Sequence, residues 1–191
     1  MHRLDLVIGP NGAGKSTFVE RALKPRLPNS VFVNADLIAK ERWPSDPAVH
    51  SYEAARIAAN TRDALIRMGR SFIAETVFSH PSKLDLPAAA HDAGFRVVVH
   101  ALLIPEELAV ERVAHRVAAG GHSVPELKIR ERHRRLWPLV ATALARADSA
   151  VVYDNARRKG PQVVAKLTGG FIVGSTAWPG WAPRELTTQW P

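Results

Sequence analysis

The 191-residue chain has no cysteine. A disulfide framework and a thiolate metal site are therefore both excluded. The fold has to rest on a buried core, which a chain of this length can form as one domain. The lack of cysteine also fits a reducing compartment. Long apolar runs are missing as well: none approaches the ~20 residues of a membrane span. The chain enters its first apolar segment at Leu4, with no leader-like stretch before it. The expectation is a soluble, cytoplasmic protein without membrane contact. Its eight histidines show no metal-ligand spacing; His80 and His122 fall in loops near the expected crevice, as either structural donors or catalytic groups. No internal repeat is present. Acidic side chains are outnumbered, 18 against 26 Lys and Arg, for a net charge of +8. The excess is densest from Arg112 to Arg135, where Glu126 and Glu131 are the only acids. Such a balance invites a nucleic-acid reading. No recognition helix, zinc knuckle or aromatic RNA-binding strand accompanies it, so small phosphorylated ligands rank above nucleic acid.

What is present is Gly9-Pro10-Asn11-Gly12-Ala13-Gly14-Lys15-Ser16, followed by Thr17. The spacing is that of a phosphate-binding loop, and its context agrees: the apolar run Leu4–Ile8 reads as a strand before it and Lys15–Leu23 as a helix after it. Glycines let backbone N–H groups curl around phosphate oxygens. The helix start adds donors and partial positive charge. Lys15 is expected to reach the β- and γ-phosphates of ATP, and the Ser16 hydroxyl to ligate Mg²⁺.

Two prolines, Pro25 and Pro28, end that first helix, and Val31–Val33 reads as a second strand. Asn34-Ala35-Asp36 stands at its carboxyl end, where ligands of open α/β sheets bind. Asp36 is thus aimed at the same crevice as the loop, unless it only caps Leu37–Arg42. Residues 48–68 read as a helix that carries Arg56 and Arg62, candidates either for a substrate-facing side or for a solvated face. Ser71–Ala74 is a third strand that delivers Glu75 and Thr76 to the crevice. Lys83–Asp92 reads as a helix, Phe95–Ile104 as a central strand, and residues 106–119 as a helix stopped by Gly120-Gly121. A basic helix, Glu126–Ala147, follows. Arg112, Arg116, Lys128, Arg130, Arg132, Arg134 and Arg135 flank the glycine pair, which suggests an arginine-rich lid over about residues 112–135. Ala150–Tyr153 is the last core strand, 161–167 a short helix, and 171–173 an edge strand or extended piece. The tail, 169–191, holds three of the five tryptophans, Trp178, Trp181 and Trp190. It is expected to pack on the rim of a domain spanning 1–168. The fold expected is a three-layer α/β phosphate-loop fold: a parallel sheet of about five strands with helices on both faces.

Taken together, the loop, Asn34-Ala35-Asp36, Glu75-Thr76, Arg116, the Gly120-Gly121-His122-Ser123-Val124-Pro125 hinge, the arginine cluster and Tyr153-Asp154-Asn155 resemble the zeta toxin family of phosphate-loop kinases, over about residues 3–156. The resemblance implies transfer of the ATP γ-phosphate to a hydroxyl on a UDP-N-acetyl amino sugar, and a possible antitoxin partner. It places the catalytic base on Asp36, a substrate-holding carboxylate on Glu75 beside Thr76, and lid arginines on Arg116 and on Arg130 or Arg132. Val77 and Phe78 stand where better-known members carry polar substrate contacts. A nucleotide-driven switch and a nucleotide-gated binding protein are the competing readings.

Overall fold

The computed structural model describes residues 2–119, 124–157 and 159–191. Its centre is a seven-stranded sheet. The strands are β1 (Arg3–Ile8), β2 (Val31–Val33), β3 (Phe72–Thr76), β4 (Arg96–Leu103), β5 (Ser149–Asp154), β6 (Gln162–Thr168) and β7 (Phe171–Ile172), in the spatial order β2-β3-β1-β4-β5-β6-β7. The first five run parallel, which is the sheet the apolar runs predict. Two antiparallel strands extend it.

Along β1, Leu4, Leu6 and Ile8 face one core cluster, while Val7 belongs to a second. This period-two alternation with both faces buried makes the three layers. The first cluster takes in α3 (Ser51–Arg67), α4 (Asp85–Asp92) and most of α6 (Glu126–Arg146). The second takes in α1 (Lys15–Phe18), α5 (Glu106–Ala118) and Ile129 at the start of α6. The chain after α1 continues as a π turn, Val19–Leu23, and a 3-10 turn, Lys24–Arg26. Strands β3 and β4 flank β1, so the chain reverses its direction of travel across the sheet beside β1. This opens a crevice at the carboxyl ends of the strands.

One element differs from its expectation. Residues 161–167, read as a helix, form strand β6, paired antiparallel with β5. Val163 and Val164 favour a pleated, half-buried surface, and Gly169 and Gly170, both at positive φ, close a hairpin into β7. The tail shares the larger core: Leu186, in α7 (Arg184–Thr187), and Trp190 are buried in it. The Trp190 indole N–H donates to the Gly170 carbonyl at 2.9 Å, and that of Trp178 to the Trp190 carbonyl at 2.8 Å. Among the described residues no helix is long and apolar enough to cross a membrane. The glycine pair and Ser123 of the expected hinge, with His122, lie outside the described residues, and so does part of the expected lid.

Candidate active site

The loop Gly9–Ser16 leaves β1 and turns into α1. Its glycines are sterically required. A Cβ on Gly9 (φ 150°) would sit 2.5 Å from the Leu102 carbonyl oxygen, and one on Gly12 (φ 75°) 2.9 Å from that of Ala109. The loop's own carbonyls are tied back from outside. Arg112 donates to Gly12 O at 3.4 Å and to Asn155 O at 3.0 Å. The Asn155 amide donates to Ala13 O at 2.7 Å. Arg112 and Asn155, read from sequence as lid flank and strand end, therefore hold the loop's shape. Gly14 starts α1 with no side-chain cap. The Oδ1 of Asn11 is buried without a hydrogen-bond partner among the described residues.

Glu75 is brought beside the loop by register, since it pairs with Val7 of the neighbouring β1. Its Oε2 accepts from the Ser16 hydroxyl at 2.8 Å and from the Asn34 amide at 2.7 Å. The Oδ1 of Asn34 accepts from the Leu37 N–H at 3.1 Å and so caps α2 (Ala35–Arg42). The capping role that sequence offered as an alternative for Asp36 is thus filled by Asn34. Asp36 lies in the first turn of α2, exposed. Asn34 is not among the site residues expected from sequence; its signal is an Asn at the boundary between a strand and a helical run. Next to Thr76, Phe78 is fully buried yet held at φ 58°. That is an outlier for a bulky residue and fixes the loop leaving β3.

These groups line one crevice of about 210 Å³, which includes Asn11, Lys15, Ser16, Asp36, Glu75 and Arg116. Lys15 is 7 % exposed and donates to the Pro10 carbonyl at 2.9 Å. Burial pushes its ammonium below the ordinary lysine value, Glu75 and Asp36 act against that, and Arg116 adds to it. Both carboxylates and Arg116 are therefore electrostatically coupled to Lys15. Larger concavities lie at the other end of the sheet, beside α4 and the start of β4. They contain neither the loop nor the strand-end carboxylates, and the chemistry locates the candidate site in the smaller one.

The remaining candidates lie elsewhere. Arg130 bridges α6 to the start of α5: it donates to Glu106 at 3.0 Å, to both oxygens of Glu107, and to Glu126 at 2.9 Å. Its guanidinium is held above the ordinary arginine value by Glu107 first, then Glu106 and Glu126. Arg134 also reaches Glu106, at 3.3 Å. Arg132 is half-buried and lies about 200° around α6 from Arg130 at 100° per residue. Arg56 is exposed on α3 and is not among the residues lining the crevice.

The residues fit a magnesium–nucleotide on three counts: a cradle that only glycine satisfies, the orphaned Asn11 oxygen, and hard oxygen donors on Ser16 and Glu75. Fold and site define a phosphate-loop protein. Residues 4–139 match the family model described as AAA domain, and the chain belongs to that family. No curated protein matches the sequence. Among solved structures, it is similar to AvrRxo1-ORF1 in its complex with AvrRxo1-ORF2, with sulphate ions, at 15 % identity and a TM-score of 0.71, covering 91 % of this chain and 60 % of that one. The chain thus spans about 60 % of the length of that relative. It is also similar to a chain of the PezAT toxin–antitoxin system of Streptococcus pneumoniae, at 14 % identity and TM-score 0.64, covering 86 % and 72 %. A third is a putative kinase from Chloroflexus aurantiacus, at 20 % identity and TM-score 0.56, covering 70 % and 78 %. At these identities the likenesses establish the fold.

Proposed function

We propose that the protein is an ATP-dependent phosphotransferase of zeta toxin type, which moves the γ-phosphate of ATP to a hydroxyl of a small molecule. One observation carries this reading: Asp36, relieved of capping by Asn34, is exposed in the crevice that also holds Lys15, Ser16 and Glu75. A carboxylate so placed suits a general base facing an acceptor hydroxyl. In the reaction the acceptor O–H gives its proton to Asp36, the acceptor oxygen bonds to the γ-phosphorus, and the bond from that phosphorus to the ADP oxygen breaks. Lys15 neutralises the β- and γ-phosphate oxygens. Arg116 supports the charge of the transferring group. Ser16 would hold Mg²⁺, with Glu75 fixing its hydroxyl; the metal supplies charge neutralisation at the phosphates. Glu75 and Thr76 border the acceptor side. A partner protein belongs to this reading, because PezAT is described as a toxin–antitoxin system and AvrRxo1-ORF1 as one member of a complex.

The test is label transfer from γ-labelled ATP, with Mg²⁺, into a panel of hydroxyl acceptors that includes UDP-N-acetylglucosamine. Label on an acceptor supports the reading, and label on the UDP-sugar extends it to the zeta toxin substrate. Release of free phosphate alone, with ATP still bound, would overturn it in favour of a nucleotide-driven switch.

A further inference from the structure

A second cavity, of about 160 Å³, adjoins the crevice and shares Ala35, Glu75 and Thr76 with it. That is some five water volumes at about 30 Å³ each, enough for one small charged group. Its other wall carries two cations from separate elements. Arg62 stands two turns after Ala55 on α3, and both residues line the cavity. Lys83 comes from the 3-10 turn Pro81–Leu84, which His80 caps by accepting the Ser82 N–H at 3.3 Å. Arg62 is half-buried and Lys83 lies at the more open rim.

Among the described residues neither cation has a carboxylate within 4 Å. Glu75 is committed to Ser16 and Asn34, and Asp63 acts on Arg62 only through space. Burial lowers both groups from their ordinary values, and the charge of Arg62 pushes Lys83 down further. Two like charges gathered on one polar hollow disfavour each other, and an anion between them reverses that balance.

We infer that Arg62 and Lys83 form an anion subsite for the acceptor, so that the substrate class is a hydroxyl compound bearing a phosphate or a carboxylate. The inference rests on the phosphotransferase reading for the word acceptor, while the anion site itself stands on the cavity and its cations. The hydroxyl lies toward Asp36 in the crevice, and the anionic group enters between Arg62 and Lys83. Ala35, Glu75 and Thr76 wall both cavities, which places the anion subsite next to the crevice that holds Asp36.

Calorimetry tests the site without requiring turnover. Wild type and the Arg62→Gln/Lys83→Gln double variant are titrated with inorganic phosphate, and separately with malonate, under a saturating non-hydrolysable ATP analogue and Mg²⁺ so that the phosphate loop is filled. Wild type should bind one anion per chain. Each cation removed should weaken that binding by about tenfold to a hundredfold. Preference for phosphate marks a phosphorylated acceptor, and preference for malonate a carboxylated one. No binding by wild type, or binding by the double variant within twofold of wild type, overturns the site. If the double variant does not fold, Lys83→Gln alone carries the test, since Lys83 lies on the rim. The transfer assay then compares glycerol with glycerol 3-phosphate and glycerate. A KM for the charged acceptors that rises tenfold or more in Lys83→Gln, with kcat kept, supports the subsite. Equal transfer to glycerol removes the acceptor role. Anion binding with no transfer to any acceptor leaves the site standing and sinks the phosphotransferase reading.

Discussion

The chain deploys its cations in two different ways. On α6, Arg130 and Arg134 are spent on Glu106 and Glu107, and Arg130 on Glu126 as well. Arg3 is put to the same use on a more deeply buried partner. It is joined through two nitrogens, each at 2.6 Å, to Asp5, which is fully buried and also bonded to His100 at 2.9 Å. Lys15 and Arg116 line the crevice, and Arg62 and Lys83 line the cavity beside it. Within the densest run of positive charge, Arg112 to Arg135, the α6 residues Arg130 and Arg134 therefore hold two helices together. Arg116 of that run and the sparser Lys15, Arg62 and Lys83, each delivered by a different element, surround the candidate chemistry. Charge density along a chain tells where cations are; the carboxylates the fold brings beside them decide which are used up structurally.

The sharpest way to break this contrast is at the crevice. Asp36→Asn should lower transfer by about 10²- to 10⁴-fold, the usual range for a lost general base. ATP affinity, measured with a fluorescent analogue, should stay within about twofold, since Asp36 is placed on the acceptor side rather than under the loop amides. Unchanged turnover would show that the proton leaves by another route.

The buried paired set comes next. Asp5→Asn should cost about 1–3 kcal/mol, as expected when a fully buried acceptor serving Arg3 and His100 is weakened while Arg3 keeps access to solvent. Burial alone would raise the Asp5 carboxyl, but hydrogen bonds from His100 and Arg3 outweigh it and hold the group below the ordinary aspartate value. A lowered native value means the contribution is complete above the ordinary value, about 3.9, and is lost as pH falls from there toward the lowered one. Urea unfolding of wild type and variant from pH 7 to 3 should therefore show a gap that is constant down to about pH 4 and narrows below it. A gap of the same size at every pH would mean that Asp5 contributes packing rather than charge.

Lys15→Ala separates nucleotide affinity from acceptor chemistry. Loss of its charge-assisted contacts to phosphate should weaken ATP binding by about tenfold to a hundredfold. Fold stability should hold, because among the described residues the Lys15 side chain makes one hydrogen bond, to the Pro10 carbonyl. Equal ATP affinity in wild type and variant would remove the loop from nucleotide binding altogether.

How much of this was legible in sequence follows from how far apart the partners lie. The phosphate loop is local: strand, glycines, Lys15 and helix fall within about twenty consecutive residues, and the letters alone define the turn. Asp36 and Glu75 were readable for a topological reason, since the carboxyl ends of parallel strands share one edge of the sheet. Residues 161–167 read as a helix because Val163, Val164 and Ala165 suit either period over so short a run, and only pairing with β5 decides for the strand. The cap on α2 required choosing between Asn34 and Asp36, two residues apart. The meeting of Arg62 with Lys83, and of Arg130 with Glu107, spans 21 and 23 positions. No helical or strand spacing links such pairs; they meet because α3 and the turn before α4 flank β3, and because α5 and α6 lie side by side.

The smallest expected effect tests the other half of the contrast. Arg130→Gln removes the hub that ties α6 to Glu106 and Glu107 of α5 and pairs with Glu126 on its own helix. Ion pairs this open to solvent contribute little each, so the thermal midpoint should fall only slightly. The difference between wild type and variant should also shrink in about 1 M salt, where the screening length is near 3 Å. ATP affinity and turnover should remain within about twofold, because the guanidinium is engaged by carboxylates rather than facing the crevice. A tenfold fall in turnover with the midpoint unmoved would reverse the assignment. The glutamates would then be a resting place for an arginine that leaves them to support the transferring phosphate, and both sets of cations would belong to the same chemistry.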